Sequence, residues 1–223
     1  MCGRFALSAP VDVLRCHFKI KEVVDLSPRY NIAPGQQVAA LRFGRRGKEI
    51  VMLRWGLIPF WARDKRIGAR LINARAETLE EKSSFRHSFN KYRCLIPADG
   101  FYEWKEIPGQ KTKQPYFIRM NDSGLFAIAG LWSTWKDKAS GENIESCTII
   151  TTDSNPLLAD IHPRMPVILP QESYNSWIDP QTESGELEKM LCSCPAEELT
   201  AHPVNGLCNN PQNDSPECIR EVR

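Results

Sequence analysis

The sequence predicts an α+β fold, a single domain in which largely antiparallel sheets form an open barrel with flanking helices. Three observations carry that expectation. Short runs of β-branched, aromatic and aliphatic residues alternate with Gly, Pro, Asp and Asn turns, while helical periodicity is confined to a few brief segments. No linker, repeat or low-complexity stretch divides the chain. A chain of 223 residues with 42% hydrophobic content buries one core without needing disulfides or metals as staples.

The elements follow in order. Val11–Phe18 places apolar residues at 11, 13, 14 and 18, a short helix. Gln37–Phe43 and Glu49–Trp55 flank Gly44-Arg45-Arg46-Gly47 and form a hairpin with a basic turn. Arg93–Ile96, Phe101–Lys105, Tyr116–Arg119, Leu125–Trp132 and Cys147–Thr152 are strands, with Asp99-Gly100 a turn between two of them. Asp137–Asn143 is a polar surface loop, and Pro170–Trp177 and Thr182–Leu191 are helical. The domain is expected over residues 1–210, followed by a polar tail, 211–223, that frays.

Composition narrows the function. No apolar run reaches the ~20 residues of a membrane span, and the amino terminus leads into no signal-like segment. A cytoplasmic protein is expected, associated with the nucleoid or located in the nucleus according to the source, with no membrane partner. The net charge of +2 hides an asymmetry. The chain up to Met120 carries an excess of Lys and Arg, and the remainder an excess of Asp and Glu. A basic half supplies cations for a polyanion, unless the two halves interleave and pair. The cysteines at 2, 16, 94, 147, 192, 194, 208 and 218 read as free thiols in a reducing compartment. Cys192, Cys194, His202 and Cys208 do not have a familiar zinc spacing, so no metal is expected.

Cys2 is the first residue that carries chemistry. Aminopeptidases commonly remove Met before a small residue, which would leave a free α-amine beside the thiol. The amine has a reference pKa near 7.7–8.0 and the thiol near 8.5, so both have a nucleophilic fraction at neutral pH. A 1,2-aminothiol reacts with an aldehyde in two steps, an imine and then a five-membered thiazolidine. On its own, Cys2 reads better as an unremarkable residue at a frayed end.

Several motifs shift that balance: Met-Cys-Gly-Arg-Phe at the start, Arg29-Tyr30-Asn31-Ile32-Ala33-Pro34-Gly35, Trp55-Gly56-Leu57-Ile58-Pro59, Asn73-Ala74-Arg75-Ala76-Glu77-Thr78, Ala98-Asp99-Gly100-Phe101-Tyr102-Glu103-Trp104 and Ile161-His162-Pro163-Arg164-Met165-Pro166-Val167. Together, in this order, they resemble the SOS response-associated peptidase (SRAP) family, from Cys2 to about Val204. The resemblance implies a single SRAP-like domain that binds single-stranded DNA and crosslinks to the aldehyde of abasic sites. It also implies autocatalytic removal of residues before the cysteine. Only Met1 precedes Cys2, so ordinary trimming would serve as well.

Roles follow from the matched positions. Cys2 is the nucleophile. Asn73 orients its amine or the sugar hydroxyls, since an amide donates and accepts without changing charge. Glu103 moves protons, and His162 protonates the sugar oxygen as the ring opens. Arg4, Arg75 and Arg164 are expected at phosphates. Phe60, Trp61 and Trp104 are expected as stacking platforms for bases. No cofactor is needed, and a monomer is expected. Two other readings stay open: a thiol peptidase built from Cys2, His162 and Asn73, and a non-covalent single-strand binder with an inert Cys2.

Overall fold

The structure is a computed structural model that describes residues 2–21, 26–44 and 47–222. The strands are β1 (Phe5–Leu7), β2 (Arg29–Ile32), β3 (Gln37–Gly44), β4 (Gly47–Trp55), β5 (Asn73–Arg75), β6 (Arg93–Ala98), β7 (Gly100–Lys105), β8 (Gln114–Met120), β9 (Phe126–Lys136), β10 (Asn143–Asp153), β11 (Arg164–Pro166), β12 (Ile168–Leu169) and β13 (Leu199–Pro203). The helices are α1 (Val11–Phe18), α2 (Arg86–Lys91), α3 (Pro156–Ala159), α4 (Tyr174–Ile178) and α5 (Ser184–Lys189). None of the described helices is long and apolar enough to cross a membrane.

Strands run β10–β4–β3–β6–β9, and β9 pairs again with β10, so five strands close on themselves. The single α+β domain with largely antiparallel sheets is as expected, and the barrel, expected open, is closed. Closure follows from the length of β9 and β10. They pair antiparallel from Asn143↔Lys136 to Ile149↔Gly130, well beyond the segments their composition suggested. Closure leaves no exposed edge in the ring. A second sheet, β13–β8–β7–β1–β2, covers one side.

Alternation along the strands decides what faces where. Phe5, Phe101 and Ile118 join the main core shared with the barrel, whereas Ala6, Tyr102 and Phe117 form a smaller cluster on the opposite face. Strand β6 is buried along its whole length because neighbours cover both of its faces. On its outer side Trp177 of α4 donates to the Cys94 carbonyl at 3.0 Å.

Asp99-Gly100 is not a hairpin turn. It is the point where the chain passes from the barrel strand β6 to the second-sheet strand β7. Asp99 accepts from the Ser8 hydroxyl at 2.6 Å. A side chain at Gly100 would place Cβ 2.3 Å from the Phe117 ring and 2.7 Å from the Ile118 carbonyl. The expected basic turn at Arg45-Arg46 lies outside the described residues. The expected helix at Pro170–Trp177 is a 3₁₀ turn, Gln171–Ser173, running into α4. The second expected helix shortens to Ser184–Lys189.

The polar tail does not fray. Asp214 takes the backbone N–H groups of Tyr30 and Asn31 at 2.5 and 3.0 Å and pairs with Arg29. Asn31, fully buried, donates to the carbonyls of Asn210 and Asn213 at 3.0 and 2.6 Å. Cys208 and Cys218 pack beneath the segment. The Arg-Tyr-Asn motif is therefore a clasp for the carboxy-terminal residues. Asn31→Ala removes those bonds from a fully buried site, at roughly 2–4 kcal/mol. That corresponds to a melting temperature lower by roughly 5–15 °C. An unchanged melting temperature would show that the tail is held by other contacts.

Candidate active site

The site forms where β1 and β7 of the second sheet meet the end of the barrel carrying β5 and β11. Phe5 pairs with Phe101, and the Tyr102 N–H donates to the Arg4 carbonyl at 3.0 Å. The chain entering β1 therefore runs past Glu103. Cys2 is fully buried in the main core. Its sulfur contacts the Arg4 carbonyl at 3.8 Å.

Asn73 is brought to Cys2 by β5, which lies parallel to β10 with Asn73 opposite Ile149. Ala74 points into the core, so Asn73 and Arg75 face the other way. The Asn73 Nδ2 donates to the Cys2 carbonyl at 2.8 Å. Its Oδ1 is buried without a hydrogen-bond partner among the described residues.

Glu103 shares the core-facing side of β7 with Phe101 and is 2% exposed. His162 lies just before β11, and its Nδ1 is 3.9 Å from Glu103 Oε2. That Nδ1 is also 3.0 Å from the Arg164 N–H and 3.1 Å from the Arg164 carbonyl. This backbone clamp fixes the ring whichever tautomer it holds. The structure thus brings Cys2, Asn73, Glu103 and His162 together.

Burial sets the electrostatics. It raises the Cys2 thiol well above its usual range, and the Glu103 charge adds to the rise, so the resting sulfur is protonated. Burial raises Glu103 from 4.5 to about 7, so its carboxyl gains and loses a proton near neutrality. Burial lowers His162, which rests as a neutral imidazole.

The six residues expected at DNA divide into groups. Arg75 is exposed beside Asn73. Phe60 and Trp61 are 56% and 46% exposed on the loop after β4. That loop is tied to the approach to Asn73, since the Leu57 N–H donates to the Leu71 carbonyl at 3.1 Å. Arg164 lies at the site but is already engaged. Its guanidinium reaches both Glu77 oxygens at 2.7 and 2.9 Å, Asp153 at 2.7 Å and the Thr151 carbonyl at 2.7 Å.

Arg4 and Trp104 are not in the Cys2 pocket. Both side chains engage the carboxy-terminal segment. Arg4 donates to Asn31 Oδ1 and the Cys208 carbonyl, each at 3.0 Å, and Trp104 donates to Asn209 at 2.7 Å. Glu77 and Asn31 were not singled out from the sequence. Their signal was their place within motifs whose other members were assigned. Among the described residues, no group of three or more His, Cys, Asp or Glu is placed to hold a metal.

The arrangement is a closed five-stranded barrel under a second sheet, with the buried Cys2 beside an amide, a carboxyl and an imidazole. Residues 1–211 match the model of the SOS response associated peptidase (SRAP) family, and the chain belongs to that family. The abasic site processing protein YoqW of Bacillus subtilis is 44% identical over 223 residues, covering 98% of this chain and 99% of that one. The abasic site processing protein HMCES of Mus musculus is 31% identical over 268 residues, covering 98% of this chain and 75% of that one. A crystal structure of a Bacteroides thetaiotaomicron protein superposes with a TM-score of 0.90 at 29% identity, covering 100% of both chains.

The Glu103 shift makes a stability prediction. Its carboxyl holds a proton more tightly folded than unfolded, so the folded state loses stability as pH rises from about 4.5 to about 7. Above that window the burden is on the order of 3 kcal/mol. Glu103→Gln is therefore expected to melt higher than the parent at pH ~8 and to match it near pH ~4.5. A difference of the same size at both pH values would refute the raised pKa.

Proposed function

We propose that this protein binds single-stranded DNA and captures abasic sites through a thiazolidine formed between Cys2 and the aldehyde of the ring-opened deoxyribose. The observation that carries this reading is the burial of Cys2 together with Asn73, Glu103 and His162 at one seam of the fold. The names of the relatives support abasic DNA as the substrate. We include the removal of Met1, by this site or by an aminopeptidase, because an acylated nitrogen is no nucleophile. The protein acts as a monomer, away from membranes.

The chemistry proceeds in two steps. The Cys2 α-amine attacks the aldehyde carbon to give a carbinolamine, which loses water to form the imine. The thiol then adds across C=N, sulfur to carbon and hydrogen to nitrogen, so that one water is lost in all. A protonated thiol is what the second step consumes, which suits a sulfur that burial keeps neutral. Glu103, poised near pH 7, takes a proton from the amine and returns it to the departing hydroxyl. His162 handles the proton at the sugar ring oxygen as the ring opens. Asn73 grips the Cys2 carbonyl with Nδ2, which leaves Oδ1 to accept from the amine or a sugar hydroxyl. A thiol peptidase working in trans requires an accessible thiolate. Cys2 is fully buried, which does not suit attack on a protein substrate in trans.

The test is incubation with an abasic oligonucleotide followed by a denaturing gel. Cys2→Ala is expected to give no denaturant-resistant band while still retaining unmodified single strands. A full-yield band from Cys2→Ala would sink the proposal. Glu103→Gln is expected to slow single-turnover capture by roughly 100- to 10,000-fold and to remove an inflection near pH ~7 from the rate profile.

A further inference from the structure

A ladder of π-systems runs from the loop after β4 across the outside of the barrel. The Phe60 ring centroid is 4.8 Å from His87, His87 is 5.3 Å from Tyr92, and Tyr92 is 4.9 Å from Trp132. The ladder ends at Arg42, whose guanidinium carbon sits 4.2 Å from the Trp132 centroid. Arg42 is itself fixed by Glu49 at 2.8 Å and Glu145 at 2.7 Å, so it is a rigid backstop. The rungs come from separate parts of the chain: the loop after β4, α2 and the residue after it, β9, and β3 for the backstop.

Among the rungs, core packing accounts for the half-buried Trp132 but not for the others. Phe60 and Tyr92 are 56% and 37% exposed, and His87 is exposed. Successive rings are inclined at 58°, 56° and 72° rather than piled parallel, so each leaves part of its π-surface uncovered. Trp61 stands beside the first rung, with Nε1 donating to the Ser83 carbonyl at 3.3 Å. Isolated exposed aromatics are ordinary on a protein surface, but a contiguous series marks a binding surface.

The surrounding charges select the occupant. Arg86 lines one cleft with Phe60, Trp61 and His87. Lys91 is exposed at the end of α2, and Arg63, Arg66 and Arg70 line the cleft on the other side of Trp61. Protein interfaces deplete charge at their centres. Cations interleaved with open aromatic faces suit unpaired bases on a phosphate backbone, and a duplex has no free base faces to offer.

We propose that this ladder is an extension of the single-strand track, in which successive unpaired bases stack on Phe60, His87, Tyr92 and Trp132 while Arg63, Arg86 and Lys91 hold phosphates. It begins on the loop tied to the approach to Asn73 and leads away along the barrel, so it holds the strand flanking the reacting sugar. The proposal rests on the reading of this protein as a single-strand binder, and adds residues and a direction to it.

The experiment is fluorescence anisotropy with oligodeoxythymidylates of increasing length and no abasic site. Wild-type affinity is expected to rise with length. His87→Ala and Tyr92→Ala are each expected to weaken binding of the long oligonucleotide by roughly ten-fold, since one base–aromatic stack is lost. Tyr92→Phe keeps the ring and is expected to bind as wild type. His87 is exposed, so its removal tests the ladder even if Tyr92→Ala fails to fold. Undiminished binding by folded His87→Ala and Tyr92→Ala overturns the ladder, whether or not wild type forms its adduct. Conversely, a wild type that forms no adduct with abasic DNA overturns the capture reading, and the ladder is still judged by these affinities.

Discussion

Strand β10 is hydrogen-bonded along both edges, and the position of nearly every site residue depends on its register. One edge takes β9 from Asn143 to Ile149 and closes the barrel. The other takes β4 at Ser146 and Cys147 and β5 from Ile149 to Thr151, while β11 joins the first edge beyond β9, from Thr151 to Asp153. Asn73 is set on β10 through β5, and the Arg164 backbone that clamps His162 is set on it through β11. A slip of one residue would turn Asn73 into the core and Ala74 toward Cys2. Cys147 and Ile149, fully buried on one face of β10, enforce the register.

On that scaffold, charged groups in the motifs spend much of their bonding on one another. Glu77 and Asp153 bracket Arg164, whose backbone in turn clamps the His162 ring. Arg4 and Asn31 hold the carboxy-terminal segment against the outer face of the second sheet. Cys2 and Glu103 are buried. The same desolvation that keeps the Cys2 sulfur protonated moves Glu103 into the range where it exchanges protons near neutral pH.

The long elements were legible in the sequence because their periodicity is long enough to read. Helix α1 has the expected bounds, and the cores of β3, β4, β6 to β10 fall on the expected runs. Three of the strands that build the site were not legible. β1, β5 and β11 have three residues each, too few to show an alternation, and they become strands only because a longer neighbour offers its edge. The extent of β9 was hidden for a related reason: Ser133, Thr134 and Lys136 are polar residues made extended by β10. Cys2, Asn73, Glu103 and His162 were named from motif resemblance, since nothing in their spacing brings positions 2 and 73 together. That Arg4 and Trp104 lie away from Cys2 was not legible, because a motif gives no strand parity, and parity turns both toward the outer face. The tail defied its polar composition because its partner, Asn31, lies far away in sequence.

The most direct test of the central claim asks which atoms of Cys2 are consumed. Wild-type protein freed of Met1 is reacted with abasic single-stranded DNA, denatured without a reducing agent, alkylated at free thiols, digested with protease and nuclease, and weighed as its amino-terminal peptide. The account predicts a peptide carrying the sugar remnant, formed with loss of one water and with no alkyl group on Cys2, because both nitrogen and sulfur are bound in the ring. A sugar-bearing peptide whose Cys2 is alkylated, or one with the sugar on another residue, would contradict it.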